Sequence, residues 1–212
     1  TRRSSDLPLS LDILSPGIAQ VFSGQIATQI EPAPLPAGLI SDSPWELVAQ
    51  FAGNESIRAR YESELGRMAR EAGAARTATF SQSEMEGLSG RIREFVPIAL
   101  RNSPAATIVK ISVLPSRMEE TLASCGRAAG ENNLHWAGVA RGVGVILVAL
   151  LPEERNEESA RRVRRATEQI AESSAAMGGN ITIPWCPEGW KPQLKVWGDR
   201  KSTRLNSSHG II

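Results

Sequence analysis

Leu134-His-Trp-Ala-Gly-Val-Ala-Arg-Gly-Val-Gly-Val-Ile-Leu-Val-Ala-Leu-Leu151 reads as two strands bent back on each other at glycines. Residues 134–139 pair with 144–151 across Arg141-Gly142-Val143, a hairpin on glycine grounds. Upstream, Thr107-Ile-Val-Lys-Ile-Ser-Val-Leu114 is β-rich and partly alternating. Pro115-Ser116 stops it, and Ser116-Arg-Met-Glu119 has the S-x-x-E form of a capping box, so a helix is expected from there. Its buried face is Met118, Leu122, Cys125 and Ala129. The order strand, helix, strand, strand makes 105–152 the unit on which the remainder packs.

Working outward, Leu7-Pro-Leu-Ser-Leu-Asp-Ile-Leu14 alternates as a strand and Ser15-Pro16-Gly17 ends it. A short helix over Ile18 to Phe22 follows. Residues 31–44 hold Pro32, Pro34, Pro36 and Pro44, a connector unsuited to a helix. Trp45 to Phe51 is the next strand. Ser56 is read as the cap of a helix whose apolar positions are Ile57, Tyr61, Leu65, Met68 and Ala72. Arg76 to Phe80 is read as a strand, and Glu84 to Phe95 as a weaker helix ended near Pro97. Downstream, Asn156 caps a helix with inner face Ala160, Val163, Thr167, Ile170, Ser174 and Met177. Gly178-Gly179 stop it, Asn180 to Trp185 is a strand, and a Pro/Trp-rich loop leads to a last strand, Leu194 to Trp197.

Strand–helix–strand thus occurs twice, over 45–80 and 105–151. Two such units interleave into an antiparallel sheet with helices mainly on one face, so the expected fold class is α+β, ferredoxin-like. An open parallel Rossmann sheet competes, but no G-x-G-x-x-G follows the first strand.

Hydrophobic content of 41% and charge of 22% belong to an ordinary globular chain, and a net charge of +1 points to neither nucleic acid nor an anionic membrane surface. No apolar run reaches the ~18 residues of a membrane span. Cys125 and Cys186 stand apart without companion ligands, which excludes a disulfide framework and a metal site as expectations and suits a reducing, cytoplasmic compartment. The chain opens Thr1-Arg2-Arg3 without a Met, as expected of a fragment whose N-terminal part lies elsewhere.

Asp199-Arg-Lys-Ser-Thr-Arg-Leu-Asn-Ser-Ser-His209 has no hydrophobic period. It resembles, residue for residue, the translation of a widely used sequencing adapter. Residues 199–212 are therefore expected to be a non-native, disordered tail and are set aside. His135 is then the sole native histidine of the two in the chain.

Candidates for chemistry concentrate on the hairpin. Glycines at 138, 142 and 144 would let a ligand approach the backbone, and Arg141 could hold a carboxylate in a bidentate grip; the plain alternative is a glycine turn with an exposed arginine. His135 is the candidate general base, against a structural role. Alternation puts His135, Ala137, Val139 and Arg141 on one face. Arg161, Arg162, Arg164 and Arg165 are interleaved with acids and read as a solvated helix face, with pairs Glu157–Arg161 and Glu158–Arg162. Cys125 reads as a core thiol, and Trp185, Trp190 and Trp197 as pins of the proline-rich loop.

Several stretches together carry a resemblance: residues 4–14 (Ser-Ser-Asp-Leu-Pro-Leu-Ser-Leu-Asp-Ile-Leu), 45–53, Ile111-Ser-Val-Leu-Pro-Ser116, 138–151, Gly179-Asn180-Ile-Thr-Ile183 and Trp197-Gly198. In order and spacing, residues 1–198 resemble the C-terminal half of the FAD-linked oxidases of the vanillyl-alcohol-oxidase type, within them the FAD-binding subunits of bacterial glycolate oxidases. The resemblance implies a substrate-side cap domain over 1–198, with FAD bound mainly by an absent N-terminal domain. It implies oxidation of a small 2-hydroxy acid such as glycolate by hydride transfer to flavin, with D-lactate or a sugar as other substrates of related flavoenzymes. It also implies partner subunits, including an iron–sulfur protein, and through them a cytoplasmic or inner-membrane-peripheral location. Neither the flavin-phosphate glycine loop nor the family's terminal N-P-G loop is in this chain, so the fragment alone is expected to bind no FAD tightly and to be inactive. From another functional class, a stand-alone ferredoxin-like binding or regulatory module is the alternative.

Overall fold

The computed structural model describes residues 8–23 and 45–196. The connector 31–44 and the tail 199–212 lie outside the described residues. In chain order the elements are β1 (Ser10–Leu14), α1 (Ile18–Phe22), β2 (Glu46–Gln50), α2 (Glu55–Glu71), α3 (Gln82–Arg93), α4 (Phe95–Asn102), β3 (Thr107–Ser112), α5 (Met118–Glu131), β4 (His135–Arg141), β5 (Val145–Leu151), α6 (Glu157–Ala176) and β6 (Asn180–Trp185). Short 3-10 turns occupy Pro115–Arg117 and Glu188–Gln193. The fold is α+β, and every strand pairing in the six-stranded sheet, ordered β2-β1-β4-β5-β3-β6, is antiparallel.

The ferredoxin-like unit is β3-α5-β4-β5-α6-β6. The hairpin strand β5 inserts between β3 and β4, and β3 inserts between β5 and β6. Both crossovers are thereby split, the arrangement expected of this motif. It differs from the sequence reading in where its halves lie. Residues 76–80 form no strand, so 45–80 is not a strand–helix–strand unit. The second half is instead β5-α6-β6. The Arg76-Thr-Ala-Thr-Phe80 stretch has alternating polarity but pairs with no strand of the sheet, and it stays largely exposed. β1 and β2 extend the sheet at the β4 edge.

Register explains the two cores. Residues paired directly across antiparallel strands project to the same face. The row Leu47–Ile13–Ala140–Ile146–Ile111–Ile181 crosses the whole sheet, and its central members are buried beneath α5 and α6. Met118, Leu122, Cys125 and Ala129 of α5, and Ala160, Val163 and Ile170 of α6, meet it as their spacing requires. The neighbouring rows face the other way, where Leu14, Ala137, Val139, Ala149 and Ile108 pack with Val21 of α1, Leu88 of α3 and Phe95 of α4. The long helices of the ferredoxin-like unit do share one face; the opposite face is covered as well, by the shorter α1, α3 and α4.

Local signals show why some boundaries moved. Pro97 falls in the first turn of α4, where a missing N–H costs nothing, so it opens a helix instead of ending one. The S-x-x-E capping box expected at Ser116 does not form; Pro115–Arg117 is a 3-10 turn and α5 begins at Met118 without a side-chain cap. A true capping box sits at Ser81, whose N–H donates to Glu84 Oε2 at 2.8 Å while its Oγ accepts from the Glu84 N–H. The Ser81 hydroxyl, which donates to Glu84 Oε2 at 2.6 Å, and then the Ser81 N–H hold the Glu84 carboxyl below its usual range. Asn54, not Ser56, caps α2 by accepting from the Ile57 N–H at 3.1 Å, and Asn156 caps α6 as expected. Only Tyr61 of the apolar stripe of α2 is buried, stacked on Phe51 at 4.3 Å. Arg161 and Arg162 both pair with Glu158, so the expected Glu157–Arg161 pair is not made. Residues 194–196 are no strand, although the Ile183 N–H donates to Val196 O at 2.9 Å, and Trp190 is buried in the α5/α6 core.

Gly144 ties β3 to the hairpin. Its φ is +86°, and a Cβ there would stand 2.1 Å from the Val113 carbonyl oxygen. Its own carbonyl accepts from the Val113 N–H at 2.9 Å. Gly144→Ala combines a left-handed backbone with a backbone clash, so we expect a loss of about 2 kcal/mol or more, read calorimetrically as a Tm lower by about 4–8 °C. Gly130→Ala, with nothing within 4 Å of the added carbon, should instead leave Tm unchanged or raise it. Both cysteines are buried and free, and burial pushes the Cys125 thiol up to about 12 and the Cys186 thiol upward too. Neither should alkylate at neutral pH in the native protein, and both should do so in denaturant; rapid native labelling of Cys125 would contradict this packing.

Candidate functional site

The hairpin glycines make room for the protein's own neighbours. A Cβ at Gly138 would meet the Trp136 ring at 3.2 Å and Leu147 O at 3.4 Å. One at Gly142 would meet Leu11 Cβ at 3.1 Å. With Val113 filling the space at Gly144, the ligand-approach reading of this glycine run is replaced by a packing one. Trp136 itself lies between Gly138 and Gly126 of α5, and its ring stands 6.0 Å from that of Trp45.

The two residues singled out in the sequence stand at opposite ends of β4. His135 is its first residue, paired with Leu151 and exposed. Arg141 is its last, paired with Asp12 on β1 and Val145 on β5. Alternation does give them one face, but six residues of strand separate them by about 20 Å. One two-carbon acid cannot touch both.

Arg141 already has a carboxylate partner. Its Nη1 donates to Asp12 Oδ1 at 2.9 Å, with the Asp12 side chain 3% exposed and that of Arg141 33% exposed. The pair is directly cross-strand, the geometry in which opposite charges support a sheet. Gly142 N–H donates to Leu11 O at 2.7 Å, so the backbone after Arg141 is fixed to the strand that carries Asp12. Removing either partner strands the other, at a cost of about 1–3 kcal/mol for a pair half in water. Sequence inspection missed Asp12. Its one available signal was a charge inside the alternating Leu7–Leu14 strand, at a position the pattern assigns to polar residues.

Beyond Arg141 the face opens. The row Val48–Asp12–Arg141–Val145–Ser112–Asn180 and the row Glu46–Leu14–Val139–Leu147–Lys110–Thr182 lie on the α1/α3/α4 side. Cover by those helices ends before β5 and β3 do: Val145, Leu147, Ser112 and Thr182 are part-exposed and Lys110 is exposed. This shelf has apolar β5 side chains in its middle, Arg141 at one side and Lys110 at the other.

Among the described residues, the groups present do not make an FAD site. The buried side-chain polar atoms without a partner are two hydroxyls, Thr107 Oγ1 and Ser174 Oγ, and neither supplies the charge or the run of backbone N–H donors that a pyrophosphate takes. The glycine-dense turn is filled by Leu11 and Val113, as above. No group of three or more His, Cys, Asp or Glu could hold a metal ion, and no helix is long and apolar enough to cross a membrane, again among the described residues.

No curated protein matches the chain. A family model does: residues 18–183 match the C-terminal domain of FAD linked oxidases. That span runs from α1 into β6 and takes in both helix layers and the shelf. The sheet with its inserted hairpin and the match over most of its elements lead to one conclusion: the chain belongs to the FAD linked oxidases, C-terminal domain family.

Proposed function

We propose that this chain is the substrate-side part of an FAD-dependent oxidoreductase that oxidises a small 2-hydroxy acid of the glycolate type, with FAD held mainly by a domain outside the present sequence. The observation that carries this reading is the family match over residues 18–183. A flavin held by that other domain would supply the redox chemistry, as a hydride acceptor, while this chain would supply orientation and electrostatics. The role assigned to this chain is to hold the substrate carboxylate. Arg141 is the group that fits it: a part-exposed guanidinium, immobilised through Nη1, with its other N–H groups available at the edge of an open face. His135 was the candidate base, but a substrate anchored at Arg141 lies out of its reach, so the two are alternatives for the reacting centre and the proposal takes Arg141. Partner oxidase subunits, an iron–sulfur protein among them, and a cytoplasmic or inner-membrane-peripheral location belong to the same proposal. A stand-alone ferredoxin-like module would share the sheet topology, and the family match favours the oxidase.

Anaerobic mixing of the full-length flavoprotein with glycolate, D-lactate and an aldose is the test. Bleaching of the oxidised flavin by the hydroxy acids and not by the sugar is expected; the reverse would reassign the substrate. Arg141→Ala should raise KM for the acid about tenfold or more, since a hydrogen bond to a charged group is worth about 1.5–3 kcal/mol. Unchanged affinity would dismiss Arg141. A His135→Gln change that slowed flavin reduction more than about tenfold would move the reacting centre to the other end of β4.

A further inference from the structure

Asp12 is the charged residue that the proposed reaction leaves unexplained. It is 2% exposed, lies between Val48 and Arg141 in its row, and belongs to a strand whose next residues inward, Ile13 and Leu14, enter the two cores. Burying a carboxylate is costly even when it is paired. An arginine needed only for solubility at a strand end would be left in water without such a partner. Here the arginine is half out of water and its partner is almost wholly in.

The consequence is geometric. A guanidinium has five N–H donors in one plane. Asp12 engages Nη1, from a strand that the Gly142–Leu11 hydrogen bond locks to the residue following Arg141. Nη1 is thereby fixed toward β1, and on the side of Arg141 away from Asp12 the same row continues through Val145 and Ser112. A fork held in one orientation binds a carboxylate bidentately without first ordering a long side chain.

We propose that Asp12 is a positioning residue, which orients Arg141 as the grip for a ligand carboxylate; this rests on the role given to Arg141 above. Two effects of losing Asp12 oppose each other. Its negative charge weakens the field of Arg141, so removal favours an anion. Its hydrogen bond orders the guanidinium, so removal disfavours one. Solvent screens the first at a part-exposed site, while the second acts at contact, and loss of order prevails.

The test uses the full-length holoprotein and oxalate, which has a two-carbon carboxylate frame and no C–H to oxidise, so binding is read by calorimetry apart from turnover. Asp12→Ala is expected to weaken oxalate about tenfold, and the volume-conserving Asp12→Asn about threefold in the same direction, because its amide oxygen still accepts from Nη1. In an Arg141→Ala background the Asp12→Ala change should add nothing further. With glycolate, KM should rise in the Asp12 variants while kcat holds. Tightened or unchanged oxalate binding, a full additional loss in the Arg141→Ala background, or no oxalate binding to the wild type would each overturn the inference. Oxalate binding that obeys the pattern in a protein whose flavin no hydroxy acid reduces would support the inference and sink the proposed reaction instead.

Discussion

The approach of Gly144 to the backbone of Val113 is the constraint from which the rest of the structure follows. It brings the turn of the β4–β5 hairpin onto the end of β3, with a carbonyl oxygen standing where any side chain would be. The hydrogen bond from the Val113 N–H to Gly144 O then sets β5 against β3 without slippage. A slip of one residue would exchange the two faces of the sheet. With the hairpin slipped against β3, Ile146 would leave the α5/α6 core, and Arg141 would be forced beneath α5. A single position without a Cβ therefore decides which residues are core and which are open to a ligand.

That register also separates the two jobs of the sheet. The α5/α6 face is closed by long helices whose spacing matches its isoleucine row. The opposite face is closed over only part of its area by short helices, and the uncovered part carries the part-exposed Arg141 and the exposed Lys110 beside apolar β5. A fully covered sheet would be more stable and could touch nothing. The incomplete cover leaves the part-exposed Arg141 and the exposed Lys110 accessible on this face.

What the sequence disclosed tracks how local the cause was. The hairpin, the inner faces of α5 and α6, the Asn156 cap and the short helix after Gly17 rest on neighbours within a few residues, and all were legible. Pro97 was misread because a proline opens a helix as readily as it ends one, and only the packing of Phe95 and Ala99 decides between them. The S-x-x-E at Ser116 lost to Pro115 and a 3-10 turn, while the same pattern at Ser81 was overlooked and formed. Residues 76–80 alternate like a strand but join neither edge of the sheet and stay largely exposed. Asp12 and Arg141 are brought together by the β1–β4 pairing alone, and nothing near either residue announces the other. The family assignment was legible for a different reason: it lies in the order of many weak features, which a resemblance can integrate and a single motif cannot.

The register places Arg141 on the open face of the sheet, and its proposed role there is to bind a ligand carboxylate. A crystal structure of the full-length flavoprotein with oxalate bound tests it most directly. The account predicts the carboxylate within hydrogen-bonding distance of Arg141, on the shelf beside Val145, with the Asp12 contact intact. Oxalate bound at the His135 end of β4, or on the α5/α6 side of the sheet, would contradict it.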